Sequence, residues 1–523
     1  MKVNSLFSLL ISLFLLGSCS LNQTSSETSE NNSSSTSITS ESSSSFSNSE
    51  NNEKNLKKLT ILSVNDLHGK IEQDENGKNG ISNLSHLINE YRNQNTDDDV
   101  ILLANGDMFQ GQAISNLNYG ESVINAMNEM RFDMMGIGNH EFDWGIEKVL
   151  RFFDNDKSNQ EANFPLINSN IIKKDDSSLL EHTLPYLTLQ KENIKVGIIS
   201  VIGEDQKSSI LAPLIKPYEF LDVKSSVAST AEKLRIEEDC DIVICNIHDG
   251  DTYKNYTKND NNIDIASLKG NQRVDALING HSHYRYAGYL GRNDMSMALP
   301  VVQAGSSSEA LGVIELTLNE DKTIESVNSK YVYNDSYSFD QNVQDIVNND
   351  YLLLKDKLEE VYCVSNEDIY ETYLLRSWSA STMQKATDAD IAFSNNGGLR
   401  NVNITKNQNI TVSDLYEINP FDNQILLTQI SGYQINSFIN NYGSSNYYNI
   451  KDGVIIENSS SIYYTVAVID YLGYKDYFPL GNNYVETNLI FRDVMGLDLK
   501  ERHNNNLKFS PSNDNKSILN KLI

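Results

Sequence analysis

Between residues 57 and 318 the chain alternates short apolar runs of β character with stretches whose apolar positions recur at i, i+3 and i+4. The runs are LTILSV, VILLA, MMGIG, FPLINSN, KVGIISVIG, CDIVICNI, VDALING, LPVVQAG and LGVIELTL. The helical windows are ISNLSHLINEYR, SVINAMNEM, WGIEKVLRFF and SVASTAEKLRI. Such alternation predicts an α/β layered domain over residues 57–336. A long helical window, SFDQNVQDIVNNDYLLLKDKLEEVY, predicts a linking helix within 337–363. Beyond it, residues 364–523 mix helical and β-like segments and end in a Tyr-rich stretch, which predicts a smaller α+β domain. No internal repeat is visible.

The side chains able to do chemistry come where the apolar runs stop. Five segments, ILSVNDLHG, ILLANGDMF, MMGIGNHEFDWG, IVICNIHDG and LINGHSH, each run a β-like stretch into a carboxylate, an amide or an imidazole. Of the eight histidines in the chain, five (His68, His140, His248, His281 and His283) fall in these segments. Open α/β sheets bind ligands at the carboxyl ends of their strands, so one rim is expected to collect Asp66, His68, Asp107, Asn139, His140, His248, His281 and His283.

Each motif has its own reason. Asp66 and His68 lie two residues apart on one loop, on the same side. The Asp107 carboxylate is of the type that can bridge two cations about 3.5 to 4 Å apart. In Gly138-Asn139-His140-Glu141-Phe142-Asp143, glycine lets the backbone turn closely, Asn139 offers a neutral oxygen, and His140 is left to face a substrate. Asp143, three residues on, can accept the second imidazole N–H and fix the tautomer. Gly280-His281-Ser282-His283 sends both rings from a tight loop to one side. Mixed nitrogen and oxygen donors without thiolate suit Zn²⁺, Mn²⁺, Fe or Co better than Ca²⁺.

At 523 residues the chain has room for two or three domains. A formal net charge of −29 disfavours nucleic-acid polymers and anionic bilayers as partners and tolerates divalent cations. Lys2, the apolar run from Leu6 to Leu16 and the sequence Leu16-Gly17-Ser18-Cys19 read as an export signal over 1–18. Small residues before cysteine resemble a bacterial lipobox, in which Cys19 would become the lipidated first residue; the alternative is an ordinary secretory signal. Residues 19–56, almost entirely Ser, Thr, Asn and Glu after the cysteine, are expected to be a disordered tether. Cys240, Cys245 and Cys363 are expected to be structural thiols. The expected location is therefore the outer face of the membrane, or else secreted, and no protein partner is implied.

Taken in order, Asp66-x-His68, Gly106-Asp107, Gly138-Asn139-His140-Glu141, His248 and Gly280-His281-Ser282-His283 resemble the calcineurin-like metallophosphoesterase signature. With the second domain the chain is similar to the 5'-nucleotidase family over about residues 57 to 510. The resemblance implies an αββα catalytic layer structure joined by a helix to the smaller domain. It also implies two divalent cations, one held by Asp66, His68, Asp107 and His283, the other by Asp107, Asn139, His248 and His281. His140 with Asp143 would be the catalytic pair, and hydroxide activated by the cations would attack phosphorus in line.

In the second domain Asn395-Asn396-Gly397-Gly398-Leu399-Arg400 resembles the family's glycine-rich loop ending in arginine, making Asn395, Gly397, Gly398 and Arg400 expected phosphate-binding positions. Arg376 stands where the family places another such arginine. Asn419-Pro420-Phe421 matches a motif whose aromatic ring stacks on the nucleobase. Tyr471 and Asp476, within Tyr471-Leu472-Gly473-Tyr474-Lys475-Asp476-Tyr477, are the expected second stacking ring and ribose-binding carboxylate, although the family's glycines are missing there. The leading expectation is hydrolysis of nucleoside 5'-monophosphates. A related phosphoesterase acting on 2',3'-cyclic nucleotides, nucleotide sugars or other phosphoesters is the alternative, and a noncatalytic binding lipoprotein a third.

Overall fold

The computed structural model describes residues 56–95, 99–250 and 257–512. The export signal, Cys19 and the tether up to residue 55 lie outside the described residues. Two six-stranded sheets build the first domain. Across the first the order is Ile324–Tyr333, Ala310–Leu318, Lys57–Val64, Val100–Asn105, Met134–Gly136 and Leu166–Ile167; across the second it is Arg285–Leu290, Leu299–Ala304, Ala276–Asn279, Ile242–His248, Ile194–Ile202 and Leu187–Lys191. The inner strands pair in parallel. Antiparallel strands close every edge but one, where Leu166–Ile167 pairs in parallel with Met134–Gly136.

Side-chain alternation explains the layers even though the strands are apolar throughout. Leu59, Ile61, Ile101 and Leu103 point between the sheets and meet Val196, Ile198, Ile244 and Ile278 in one buried cluster. Their neighbours Leu62, Val64, Leu102 and Ala104 point the other way, into a cluster shared with Leu84, Ile88, Val123 and Val347. On the second sheet Ile199, Val243 and Cys245 face Val227 and Leu234 of the helix Val223–Ile236. The period of two thus delivers apolar surface to both sides of each sheet, giving four layers, αββα.

The helix Gln341–Leu358 leads to the second domain, a five-stranded sheet ordered Asn446–Ile450, Ile391–Asn395, Tyr463–Ile469, Gln424–Ser431 and Val485–Ile490. Its core includes Trp378, Phe393, Ile425, Val466 and Phe491. The smaller α+β domain is as expected. Cys240, Cys245 and Cys363 are buried free thiols. Among the described residues no helix is long and apolar enough to cross a membrane.

Two windows give less regular structure than their patterns predict. WGIEKVLRFF yields only the single helical turn Glu147–Leu150, because Phe152 N and Phe153 N bond back three residues, to Val149 O and Leu150 O, and tighten the end of the helix. FPLINSN yields only Leu166–Ile167, because the Asn168 side-chain oxygen accepts from Asn170 N and Ile171 N and turns the chain. Three edge strands, Leu187–Lys191, Arg285–Leu290 and Ile324–Tyr333, are broken up by polar or small residues and so do not show as apolar runs.

Candidate active site

Three of the five strand-end segments turn sharply just past their strands. Asp66, His68, Asp107, His281 and His283 all hold left-handed backbone, with φ of 51°, 51°, 53°, 71° and 60°. Non-glycine residues in that region carry local strain of about 1 to 3 kcal/mol each, and such strain gathers where side chains are aimed for function. Two glycines allow the loops to approach. A Cβ on Gly106, at φ 75°, would stand 2.4 Å from Gly138 N, and a Cβ on Gly138 would stand 2.3 Å from the Asp107 Oδ1.

The result is two groups of donors. Asp66, His68 and His283 form one, and Asp107, His248 and His281 the other, the donor atoms within each group lying within 4.8 Å of one another. In the first, the Nε2 atoms of His68 and His283 face each other at 2.9 Å. In the second, the Asn139 Oδ1 lies 3.2 Å from His248 Nε2 and 2.8 Å from His281 Nδ1. The tautomers follow from what sits behind the rings. His68 Nδ1 donates to Gln110 O at 2.9 Å and His248 Nδ1 donates to Asn105 O at 2.7 Å, which turns both Nε2 atoms inward.

Electrostatics suit cation binding at three of the four rings; at His248 burial is outweighed by the carboxylates of Asp107 and Asp66, which raise it to about 10. Burial pushes the His281 and His283 rings down to about 4. Burial, with His283 beside it, also holds His68 well below its usual value. Neutral imidazoles are the form a cation requires. Burial pushes the Asp66 carboxyl up to about 7, against the pull of His248. For Asp107 burial is outweighed by His248 and His140, which keep it ionised. Its Oδ2 is buried and lies 3.2 Å from His248 Nε2. A buried carboxylate oxygen set among imidazoles is a donor set that fits a divalent cation.

His140 stands apart from both groups. Its Nδ1 meets Asp143 Oδ2 at 2.7 Å, and its backbone N donates to Asp107 Oδ1 at 2.8 Å. Burial lowers its basicity, but the carboxylates of Asp143 and Asp107 prevail and raise it to about 9. The ring is thus held as an acid.

A cleft of about 270 Å³ opens over this centre, between the domains. Asp107, Asn139, His140, Asp143, His281 and His283 line one side; Asn395, Gly397, Gly398, Arg400, Phe421 and Tyr471 line the other. The Phe421 ring lies 5.8 Å from that of His140, and the Arg400 guanidinium sits 5.1 Å above Phe421. Two expected substrate residues are placed elsewhere. Arg376 does not line the cleft, and its buried Nε has no partner. Asp476 is exposed and off the cleft. With the glycines of the family's turn missing, the short helix Asp470–Gly473 instead places Asp470 at the wall. There Asp470 accepts from Asn423 Nδ2 at 2.9 Å and from Gln424 N at 3.0 Å.

A family model for the calcineurin-like phosphoesterase matches residues 59–285, and one for the 5'-nucleotidase C-terminal domain matches residues 363–472. Through these two matches the chain is similar to the 5'-nucleotidases. Among similar proteins, the endonuclease YhcR of Bacillus subtilis is 27% identical over 64% of this chain and 28% of its own length. The snake venom 5'-nucleotidase of Crotalus adamanteus is 28% identical over 64% of this chain and 60% of its own. The chain thus spans less than two thirds of these curated relatives. A 5'-nucleotidase precursor from Thermus thermophilus shares the fold, with a TM-score of 0.71 and 19% identity over 85% of this chain and 96% of that one.

The 5'-nucleotidase frame also brings out residues the motifs did not assign. Glu141 is completely buried, and its carboxylate accepts from Asp107 N, Met108 N and Gly138 N at 2.8, 2.9 and 2.7 Å, tying two metal loops together. Asn65 does the same for Asp66, donating to its Oδ2 at 2.6 Å and to Gly305 O at 2.7 Å. Both are sequence neighbours of assigned residues, which was the available signal.

Proposed function

We propose that this chain hydrolyses nucleoside 5'-monophosphates to nucleoside and phosphate in the interdomain cleft, with a divalent cation at each donor group. The observation that carries the reading is the shared lining of one cleft: Asp107, Asn139 and His283 on one wall, and Arg400, Phe421 and Tyr471 on the other. A phosphate against the first wall is within the province of the Arg400 fork, while a flat base can lie between Phe421 and Tyr471.

Asp66, His68, Asp107 and His283 would hold one cation, and Asp107, Asn139, His248 and His281 the other. Bound there, the cations supply an activated water and neutralise charge at phosphorus. His140, kept charged by Asp143, stabilises the developing negative charge or donates its proton to the leaving oxygen. Export and lipidation at Cys19 would put the activity outside the cell, where nucleotides must lose phosphate before uptake; loss of fatty-acid labelling in Cys19→Ala tests the anchor.

Purified protein should release phosphate from AMP with added Mn²⁺ or Zn²⁺, and chelation should abolish the release reversibly. In the same assay His140→Ala should lower kcat about 10²- to 10⁴-fold with metal content unchanged. Retained activity in chelator, or in His140→Ala, would sink the assignment.

Asp476, exposed and away from the cleft, keeps a second reading open, in which the sugar is not gripped by a carboxylate and other phosphoesters compete. A panel of AMP, UMP, 2',3'-cyclic AMP, a UDP-sugar and an aryl phosphate separates the two. Equal rates across it would favour the second.

A further inference from the structure

A second groove, of about 920 Å³, adjoins the catalytic cleft and is likewise walled by both domains. The first domain contributes Lys174, Lys207, Lys216 and Tyr218, and the second contributes Tyr474 and Tyr484. The two spaces share a rim. Leu211 lines the cleft and its neighbour Ala212 the groove; Tyr471 lines the cleft and Tyr474, one helical turn on, the groove. Lys475 fastens the rim, donating to Ser208 O across the domains and lying 3.9 Å over the Tyr471 ring.

The groove's chemistry runs against that of the molecule. Three lysines face two carboxylates, Glu219 and Glu486, in a chain whose net charge is −29. Glu486 is already engaged by the Tyr474 hydroxyl at 3.0 Å. Lys207 and Lys216 are exposed, and Lys174 donates to Lys216 O at 3.0 Å, which braces that segment. Tyr474 and Tyr484 pack edge to face, 5.8 Å apart. Cationic side chains interleaved with aromatic rings are what a single-stranded nucleotide unit needs: a charge partner for its phosphodiester and a flat surface for its base.

We propose that this groove is a subsite for a second nucleotide unit, so that 5'-phosphorylated dinucleotides and very short oligonucleotides are substrates as well as mononucleotides. The inference rests on the nucleotidase reading of the adjoining cleft. The terminal phosphate lies at the donor groups, the first base between Phe421 and Tyr471, and the next phosphodiester crosses the rim toward Lys207 and Lys216. The reaction is still monoester hydrolysis. Water forms the new bond to phosphorus, the bond to the 5' oxygen breaks, and that oxygen leaves carrying a proton. The overall charge of −29 limits the reach to one or two units beyond the first, since a longer polyanion meets repulsion.

The test compares thymidine 5'-monophosphate with 5'-phosphorylated dithymidine on the full chain, in the divalent ion that best supports hydrolysis. At low ionic strength the dinucleotide should have about tenfold higher kcat/KM, an advantage that shrinks as salt is raised. In the double variant Lys207→Glu/Lys216→Glu the advantage should fall to about one, with the mononucleotide rate within about twofold of wild type. Tyr484→Ala should reduce the advantage without changing its salt dependence. A wild type with no preference, or a preference that survives charge reversal, overturns the subsite. Failure to hydrolyse the mononucleotide overturns the nucleotidase reading itself.

Discussion

Asp107→Asn should fold normally yet lose about 10³-fold or more in kcat, together with most of its bound metal. The substitution keeps the shape and the oxygen that accepts from His140 N, but it removes the charge from the buried position beside His248 and exchanges one carboxylate oxygen for an NH₂ group. Asp107 is the residue expected to touch both cations, so no other single ligand should cost as much. Phosphate release, metal content by mass spectrometry and circular dichroism, read on one preparation, provide the check. A folded variant within tenfold of wild type, or one with full metal content, would remove Asp107 from its place at the centre.

Glu141→Gln is expected to act at one remove. Three backbone N–H groups converge on this carboxylate from the loops that carry Asp107 and Gly138. Glutamine offers one oxygen in place of two and turns an NH₂ toward a buried donor. Leaving a buried donor unpaired costs about 1 to 3 kcal/mol, and loosening a ligand loop typically weakens metal binding about 10- to 100-fold. Thermal unfolding with and without added Mn²⁺ should therefore show a lower midpoint that excess metal partly restores, along with a raised metal requirement for activity. Unchanged unfolding and an unchanged metal titration would mean that the loops hold themselves. A role confined to stability would lower the midpoint and leave the metal titration alone.

The metal side of the molecule was legible because its chemistry is local. A strand end, a tight turn and a ligand lie within a few residues, so Asp66, Asp107, Asn139 and the histidines could be read one segment at a time. The αββα layering was legible from the apolar runs, since buried parallel strands show little else. The edge strands were not, because polar or small residues interrupt each of them and leave no apolar run to see. Glu141 escaped assignment because its partners are backbone N–H groups, and Asn65 because it braces the ligand beside it and the Gly305 carbonyl of a distant loop, which no side-chain motif reveals. The substrate wall was read less well than the metal wall. Arg400, Phe421 and Tyr471 came with recognisable motifs, but Asp476 was assigned by counting along a segment that had lost its glycines, and a short helix there rotates Asp470 inward instead. The second groove had no sequence signature, since its lysines and tyrosines are brought together from stretches some 260 residues apart.

Gln110 links the two halves of the cleft at one point. Its side-chain amide donates to Pro420 O at 2.8 Å, joined there by Asn116 at 2.9 Å, while its own carbonyl receives the His68 Nδ1–H. The loop that carries Phe421 is therefore seated on the same residue that aims a metal-facing ring. Drawing the Phe421 loop away must strain the peptide behind His68, so the seat of one aromatic ring and the set of the other are geared to each other through Gln110.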